Sequence, residues 1–149
     1  NEVVWDLYCG IGTISLYMAE HVREVYGVEI VPQAIEDAKN NAKANNIKNA
    51  SFYVGKAEEV VPELYKKEGI HADVIVVDPP RAGMNYKVLP KLLRYGVDQI
   101  LYISCNPKTL MDNLLFMQEN GYAVTKIKAF DNFPFTKHTE SVCLIEKVK

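Results

Sequence analysis

A regular alternation of short apolar runs with longer stretches of helical spacing constrains the fold of this chain more than any other feature. Runs rich in β-branched and aromatic side chains predict strands, and apolar residues recurring every three or four positions predict helices. The predicted strands are residues 3–8, 24–29, 51–54, 72–78, 98–104, 122–130 and 141–148. The predicted helices are residues 12–22, 32–46, 57–68, 86–95 and 107–119.

The order of these elements restricts the topology. Strands that alternate with helices form a parallel sheet with helices on both faces. The last two strands have no helical pattern between them, which predicts that they are antiparallel neighbours. We therefore expect an α/β, Rossmann-like fold with a mostly parallel seven-stranded sheet and an antiparallel last strand. This layout resembles the class I variant of the doubly wound fold found in methyltransferases, and ligands of such sheets bind beyond the carboxyl ends of the strands.

The composition is typical of one soluble domain. The chain has 149 residues, of which 48% are hydrophobic and 24% are charged, so we expect a single domain over residues 1–149. The net charge of −2 does not predict a nucleic-acid-binding face, because phosphate recognition usually requires a basic surface. Two loose groups of lysines are interpreted as solvated surface, namely Lys39, Lys43 and Lys48, and Lys126, Lys128 and Lys137. If RNA is bound, we expect much of the affinity to come from elsewhere in a longer protein.

The three cysteines, Cys9, Cys105 and Cys143, are widely spaced and form no CxxC pair. This pattern argues against a disulfide framework or a metal site in the chain, and it fits a reducing, cytoplasmic environment. No apolar run is long enough to predict a membrane span. The first predicted strand begins at residue 3, from which we interpret the chain as a fragment that lacks an upstream region.

A glycine-containing turn follows the first predicted strand, in the run Asp6-Leu7-Tyr8-Cys9-Gly10-Ile11-Gly12-Thr13. Two glycines let the backbone approach a ligand closely, although a tight turn without a ligand is the alternative. A dinucleotide-binding turn needs a third glycine where Ser15 stands, so NAD and FAD are disfavoured. A cofactor without a pyrophosphate, such as S-adenosylmethionine (SAM), does not need that glycine. The candidate cofactor-binding residues of this turn are Tyr8, Gly10 and Thr13.

Two carboxylates lie at the ends of predicted strands. Glu29 ends the second strand, where it can accept hydrogen bonds from both ribose hydroxyls, although an acid that complements the dipole of the next helix is the alternative. Asp78 ends the fourth strand and precedes Pro79 and Pro80, which fix the backbone. A charge at the end of a buried strand is costly without partners, so we expect Asp78 near the methyl-donor end of the cofactor. Asp6 is expected to hydrogen-bond loop amides or the methionine amino group.

Cys105 follows the fifth predicted strand and directly precedes a predicted helix. The helix dipole and nearby amides favour its thiolate, which makes it the candidate nucleophile. Cys143, in the middle of a strand, and Cys9 are interpreted as small buried hydrophobic residues. Glu140, just before the last strand, is the candidate base. His138 is an alternative base, although a surface histidine without a role is more common.

Four segments resemble the RNA uridine C5-methyltransferases that act on tRNA and rRNA, and the resemblance covers the whole chain. These segments are Asp6–Gly12, Asp78–Gly83, Ser104–Leu110 and Phe133–Glu140. The resemblance implies SAM as the cofactor and RNA as the substrate. The residues that it implies are Tyr8, Glu29 and Asp78 as SAM contacts, Cys105 as the nucleophile and Glu140 as the base. It also implies upstream parts that this chain lacks: an RNA-binding domain, a central domain with an iron–sulfur cluster in some members, and a SAM-binding glutamine.

In the implied mechanism, Cys105 adds to C6 of uracil so that C5 can accept the methyl group. Glu140 then removes the C5 proton, and elimination releases the cysteine. The target base must leave its RNA stack to reach such a site. Arg81, Asn106 and Phe133 are further candidates for contacts with the base or the RNA.

Alternatives remain open. A 5-methylcytosine RNA methyltransferase also uses a cysteine nucleophile, but its cysteine directly follows an Asp-Pro-Pro segment, where Arg81 stands here. A SAM-binding module without activity of its own fits a fragment. An NAD enzyme is disfavoured by Ser15.

Overall fold

The computed structural model describes residues 1–131 and 139–149. By its internal contacts the chain divides into two compact units, Asn1–Ile75 and Val76–Lys149. The expectation of one domain over residues 1–149 stays a prediction.

The described residues contain seven strands and five helices. The strands are β1 Val3–Leu7, β2 Glu24–Glu29, β3 Ala50–Val54, β4 Val74–Val77, β5 Gln99–Ser104, β6 Tyr122–Phe130 and β7 Glu140–Lys147. The helices are α1 Thr13–Ala19, α2 Pro32–Ala44, α3 Ala57–Lys66, α4 Leu89–Leu93 and α5 Pro107–Glu119. The strands form one sheet in the order β3-β2-β1-β4-β5-β7-β6. The predicted α/β fold with a mostly parallel sheet and antiparallel last strands is therefore confirmed.

Four of the five predicted helices are shorter than expected, and the first and fourth show local reasons at their starts. The first begins only at Thr13, because Gly12 has the left-handed φ of 86° and ends the preceding turn. The helix expected at residues 86–95 is reduced to Leu89–Leu93. Its start is replaced by a turn in which the Asn85 side chain accepts a hydrogen bond from the Lys87 N–H at 2.8 Å. Such side-chain bonds offer the backbone an alternative to the helix.

The first unit is a parallel three-stranded sheet with its connecting helices. Val3 pairs with Glu24 in the β1–β2 ladder, and Val25 pairs with Ala50 in the β2–β3 ladder. Every residue of β1 is buried. One core cluster joins α2 to the edge of the sheet through Cys9, Ile35, Ala38, Ala42 and Phe52. This packing sets α2 and β3 beside the turn that follows β1.

The second unit contains an antiparallel sheet in which β7 lies between β5 and β6. Ser104 pairs with Ser141, and Phe130 pairs with Glu140. Helix α5 buries Leu110, Leu114 and Met117 along one face, at helical spacing. Both ladders therefore place the end of β5 and the start of β7 side by side. In the part of the chain that the structure describes, no helix has the length and apolar character of a membrane span.

Candidate functional site

The turn after β1 is shaped by residues with left-handed backbone conformations. Tyr8 has a φ of 64°, Gly10 of 55° and Gly12 of 86°. The Cys9 N–H donates to the Val28 carbonyl at 3.0 Å, and the Gly12 N–H donates to the Cys9 carbonyl at 2.9 Å. A tyrosine in this conformation is uncommon and is retained only where the surroundings enforce it.

The two glycines of this turn serve different purposes. A Cβ atom on Gly12 would lie 3.1 Å from the Ala38 Cβ and 3.1 Å from the Phe52 ring, so Gly12 allows α2 and β3 to pack closely. A Cβ atom on Gly10 would meet nothing within 4 Å. Gly10 therefore leaves open space at the turn, into which a ligand can approach the backbone.

The Glu29 carboxylate is held by the backbone of the same region. It accepts a hydrogen bond from the Gly10 N–H at 3.2 Å and one from the Val31 N–H at 3.3 Å. An ionised carboxylate offers about four acceptor positions, so further positions remain for ligand hydroxyls. This arrangement suits the ribose interaction predicted from the sequence, and it also explains how Glu29 is oriented.

Tyr8 and Glu29 line one cavity of about 100 Å³. Its other lining residues are Val28, Ile30, Gly55, Lys56, Ala57 and Glu58. Burial, followed by the negative charges of Glu58 and Glu29, raises the pKa of Tyr8. The cavity is smaller than the several hundred Å³ of whole-ligand pockets, so it accounts for only one part of a cofactor. An open glycine, an aromatic ring and an acceptor with free positions fit the adenosine part of SAM.

Sequence reasoning missed Glu58 at this cavity. Glu58 lies in the first turn of α3, directly after β3, and acids are common there because they complement the helix dipole. Its position after the carboxyl end of a strand was the signal that could have identified it.

Asp6 and Ser15 form a buried pair next to this turn. Both residues are buried, and the Ser15 hydroxyl donates to the Asp6 carboxylate. Sequence reasoning treated Ser15 only as a missing glycine, whereas the structure gives it a partner of its own. The hydrogen bonds expected of Asp6 with loop amides or a methionine amino group stay predictions.

Thr13 does not line the cavity that Tyr8 and Glu29 share. Its side chain is exposed and lines a separate cavity of about 280 Å³, together with residues that include Tyr17 and Asn41. The structure therefore places Tyr8 and Glu29 at one cavity, with Gly10 bonded to Glu29, and places Thr13 at another. Its role in cofactor binding stays a prediction.

Cys105 is the only one of the three cysteines that is not buried. It directly follows β5 and precedes α5. Burial raises the pKa of the Cys143 thiol, and burial together with the charges of Asp6 and Glu29 raises that of the Cys9 thiol. Because the thiolate is the reactive form, Cys105 is the accessible candidate nucleophile.

A network of side-chain bonds fixes the segment around Cys105. The side-chain oxygen Oδ1 of Asn106 caps α5 by accepting a hydrogen bond from the Lys108 N–H at 3.1 Å. The side-chain nitrogen Nδ2 of Asn106 donates to the backbone carbonyl of Arg81 at 3.0 Å. The Thr109 hydroxyl donates to the same carbonyl at 3.1 Å. The segments Asp78–Gly83 and Ser104–Leu110 are therefore joined directly. The Asn106 side chain makes a hydrogen bond at both its oxygen and its nitrogen in this way, and its expected contact with a base or RNA stays a prediction.

Asn113 extends this network and was missed by sequence reasoning. Its Oδ1 accepts the Met84 N–H at 2.9 Å, and the Tyr102 hydroxyl donates to the same atom. Asn113 precedes Leu114 and stands three residues after Leu110, both of which α5 buries. A polar residue beside the apolar stripe of a helix was the available signal, since such a residue needs partners.

Glu140 and Cys105 lie at adjacent strand ends. Glu140 begins β7, and Cys105 follows Ser104, which pairs with Ser141 in the β5–β7 ladder. Glu140 was expected in the loop before the last strand; it is instead the first residue of the strand because it pairs with Phe130. Asp78 is exposed as a residue, but partial burial of its carboxyl group and the nearby Glu140 charge raise its pKa, so these two carboxylates also lie in one region.

Three residues named in the sequence analysis lie outside the described residues, namely Phe133, Lys137 and His138. Among residues 1–131 and 139–149, no group of three or more His, Cys, Asp and Glu side chains is placed to hold a metal ion. A further cavity of about 560 Å³ lies along α2 and β3 and is lined by residues that include Lys39, Lys43 and Lys48. It contains none of the predicted site residues.

The sequence profile described as tRNA (Uracil-5-)-methyltransferase matches residues 1–148. The chain belongs to this family. SAM is the cofactor of the family, and the chain has the class I SAM-dependent methyltransferase fold. A precorrin-6y C5,15-methyltransferase from Geobacter metallireducens shares that fold with a TM-score of 0.78, covering 99% of this chain and 80% of that chain at 17% identity.

Members and neighbours of the uracil-5-methyltransferase family are similar over the whole chain. An uncharacterized RNA methyltransferase of Bacillus cereus is 50% identical over 149 residues, which cover 100% of this chain and 32% of that protein. One of Enterococcus faecalis is 48% identical over 99% of this chain and 32% of its own length. The crystal structure of Pyrococcus abyssi tRNA (uracil-54, C5)-methyltransferase with S-adenosyl-L-homocysteine has a TM-score of 0.81 and 32% identity, covering 97% of this chain and 34% of that chain. The chain thus spans about a third of the relatives that it matches.

Proposed function

We propose that this chain is the catalytic part of a SAM-dependent enzyme that methylates C5 of uridine in tRNA or rRNA, acting in the cytoplasm. The observation that carries the proposal is the position of the partly exposed Cys105 directly after β5, beside the start of β7 where Glu140 lies. Membership of the tRNA (uracil-5-)-methyltransferase family supports it. Arg81 follows Pro80, where a 5-methylcytosine enzyme has its cysteine, which favours uridine over cytidine.

The cofactor-binding residues in this proposal are Tyr8, Gly10, Thr13, Glu29 and Asp78. Glu29, already oriented by two backbone N–H groups, accepts hydrogen bonds from the ribose hydroxyls. Gly10 keeps the backbone open to the ligand. SAM, when bound, supplies an electrophilic methyl group on sulfur.

Cys105 activates the base by addition. The thiolate forms a bond to C6 of uracil, and the electron pair of the C5–C6 double bond moves so that C5 becomes enolate-like. C5 can then accept a methyl group, which an unmodified uracil does too poorly. Cys105 stands between β5 and α5 and is only partly buried, so its side chain can take part in this step.

Glu140 completes the reaction. After methylation C5 still carries its proton, and the Glu140 carboxylate removes it. The electron pair left on C5 re-forms the C5–C6 double bond, and the Cys105–C6 bond breaks to release the thiolate. The products would be 5-methyluridine and S-adenosylhomocysteine, with the Cys105 thiolate regenerated and the C5 proton held on Glu140.

The decisive test uses RNA that carries 5-fluorouridine, because fluorine at C5 cannot be removed as a proton and the covalent adduct is trapped. The full-length protein is mixed with SAM and 5-fluorouridine-containing tRNA or rRNA fragments, and adducts are counted on denaturing gels. We expect an adduct with the native protein and none with Cys105→Ala.

The matched control is Cys143→Ala, which changes a buried cysteine and should retain the adduct. Binding of S-adenosylhomocysteine, measured by calorimetry, shows that each variant is folded. An adduct that survives Cys105→Ala contradicts the proposal. Binding of S-adenosylhomocysteine without adduct or methylation in the native protein favours a cofactor-binding module instead.

A further inference from the structure

The second half of β6 is unusually exposed for a strand. Residues 125–130 are all exposed, including the apolar Ile127 at 64% and Phe130 at 38%. β6 is the last strand in the sheet order, so it pairs only with β7 along its length. Exposure of consecutive residues means that neither face of this stretch is covered within the described residues.

A β-bulge determines which side chains share a face with Glu140. Val124 pairs with Ile145, but the next pair is Lys126 with Leu144, so Thr125 is an extra residue. The Thr125 hydroxyl donates to the Leu144 carbonyl at 3.3 Å, which holds the bulge in place. In a regular ladder Thr125 would stand opposite Leu144 and every later residue would lie on the other face.

The bulge therefore brings three side chains of β6 to the face on which Glu140 lies. Lys126 pairs with Leu144, Lys128 with Val142 and Phe130 with Glu140. Directly opposed residues of an antiparallel pair point to the same face. Lys126, Lys128 and Phe130, hereafter the β6 basic face, thus form a row that ends beside the candidate base.

We propose that the β6 basic face binds the RNA strand next to the target nucleotide. In this proposal, which rests on the proposed function, Lys126 and Lys128 contact backbone phosphates and Phe130 stacks on a neighbouring base. The target uridine must leave its stack to reach Glu140, so the neighbouring bases lose a stacking partner. Phe130 would replace that partner, and the RNA strand would run along the β6 basic face to Glu140.

The chemistry of the row favours a single-stranded nucleic acid. Residues 125–130 include two lysines, two apolar side chains besides alanine, and no acid. Among the described residues, no ion pair involves Lys126 or Lys128. The Lys128 Nζ lies 5.3 Å from the centroid of the Phe130 ring, so a positive charge and an aromatic face adjoin each other. Proteins that hold single strands combine these two groups, cations for phosphates and rings for bases.

The first experiment changes the two lysines. Binding of the full-length protein to a substrate stem-loop is measured at several salt concentrations for K126Q/K128Q and for a matched double variant, K39Q/K43Q, on α2. We expect the β6 pair to weaken RNA binding about tenfold and to reduce the slope of log affinity against log salt by about 1.4, the value for two phosphate contacts on a single strand. The α2 pair, with the same charge change, should differ from the native protein by less than about twofold.

The second experiment compares the two faces of β6. Phe130→Ala should weaken RNA binding about tenfold and abolish quenching of a 2-aminopurine placed beside the target uridine, because base–aromatic stacking is lost. Phe130→Trp keeps an aromatic ring at this position and should retain both RNA affinity and 2-aminopurine quenching. Ile127→Ala removes an exposed side chain from the opposite face and should leave both unchanged.

Several outcomes overturn the proposal. Equal losses for the β6 and α2 pairs would show only a general charge effect, and equal losses for Phe130→Ala and Ile127→Ala would show no stacking. A lowered melting temperature or altered oligomeric state with unchanged RNA affinity would mean that protein covers this face instead. If the native protein forms the 5-fluorouridine adduct while these variants bind RNA normally, the β6 proposal fails and the uridine methylation proposal stands. Absence of the adduct in the native protein rejects the methylation proposal separately.

Discussion

The two units form their candidate sites by different means. In Asn1–Ile75 the site depends mainly on the backbone, since left-handed residues shape the turn and main-chain N–H groups orient Glu29. In Val76–Lys149 it depends on side chains, because Asn106 and Thr109 bind the Arg81 carbonyl and hold the segment that carries Cys105.

This contrast predicts where each unit is sensitive to substitution. A backbone-built site depends on a few residues that permit unusual φ values, so a small added side chain alters both folding and ligand fit. Where side chains form the site, replacing a reactive group leaves the fold of the unit intact. Such a substitution therefore changes activity without a matching change in stability. Substitutions in both units can therefore test the contrast.

Glu140→Gln is expected to lower methylation turnover by about 10²- to 10⁴-fold, the usual contribution of a positioned base. The proposed mechanism places proton removal after methyl transfer, so the covalent RNA adduct should accumulate even with ordinary uridine, which a denaturing gel detects. Glu146→Gln, on the same strand but bonded to Gln99, is the matched control and should retain turnover. Turnover of Glu140→Gln within tenfold of the native rate would remove Glu140 from the mechanism.

Gly12→Ala is expected to lower the free energy of unfolding by about 2–4 kcal/mol. A left-handed alanine costs about 1–2 kcal/mol, and its Cβ would crowd Ala38 and Phe52. Gly10→Ala has the backbone cost without the crowding, so it should lose only about 1–2 kcal/mol but bind S-adenosylhomocysteine less tightly. Urea denaturation and calorimetry measure the two effects. Equal destabilisation by the two variants would contradict the different roles assigned to these glycines.

Glu29→Gln is expected to weaken S-adenosylhomocysteine binding by about 10- to 100-fold, because hydrogen bonds to a charged acceptor become bonds to a neutral one. The control is Glu24→Gln at the opposite end of β2, where the carboxylate accepts only from the Tyr26 hydroxyl at 3.0 Å among the bonds of the described residues. Isothermal calorimetry with this chain measures both. Similar S-adenosylhomocysteine affinities for the Glu29→Gln and Glu24→Gln variants would show that Glu29 does not bind the cofactor.

Asp78→Asn is expected to raise the melting temperature slightly, by less than about 2 °C. Burial and the Glu140 charge raise the pKa of Asp78 in the folded state, so its ionised form opposes folding. The native chain therefore loses relative stability as pH rises through the Asp78 titration. The difference in melting temperature between the native chain and Asp78→Asn should vanish below about pH 4, where Asp78 becomes protonated in both the folded and the unfolded state. The difference should reach its full size at neutral pH.

Thermal melts across this pH range test the sign, with the exposed Asp112→Asn as the control. If Asp78 also contacts SAM, the more stable variant should bind S-adenosylhomocysteine less tightly, as groups kept for function often reduce stability. A variant less stable than the native chain at neutral pH would contradict the electrostatic account.

The fold followed from the sequence because its determinants are local. Apolar runs and helical spacing located every strand and helix, and the missing helical pattern before β7 predicted its antiparallel pairing. The ends of elements were less accurate where side chains compete with the backbone, as at Asn85.

The candidate site was only partly predictable. Tyr8, Gly10 and Glu29 were predicted because they stand at or just after strand ends. The structure bonds Gly10 to Glu29 and places Tyr8 and Glu29 at one cavity, and their roles in cofactor binding stay predictions. The missed features are Glu58, Asn113 and the partnership of Ser15 with Asp6. Each depends on a contact between different helices, strands or loops, which the pattern within one element does not reveal. The bulge at Thr125 was missed because no glycine or proline marks it.

The left-handed backbone of Tyr8 has a consequence for variation at that position. The residue at position 8 must meet two independent requirements. The turn favours residues that tolerate positive φ, such as glycine, asparagine or aspartate, whereas the cavity favours a flat ring. Few amino acids satisfy both, so a saturation library at position 8 should yield folded variants and ligand-binding variants as two nearly separate sets.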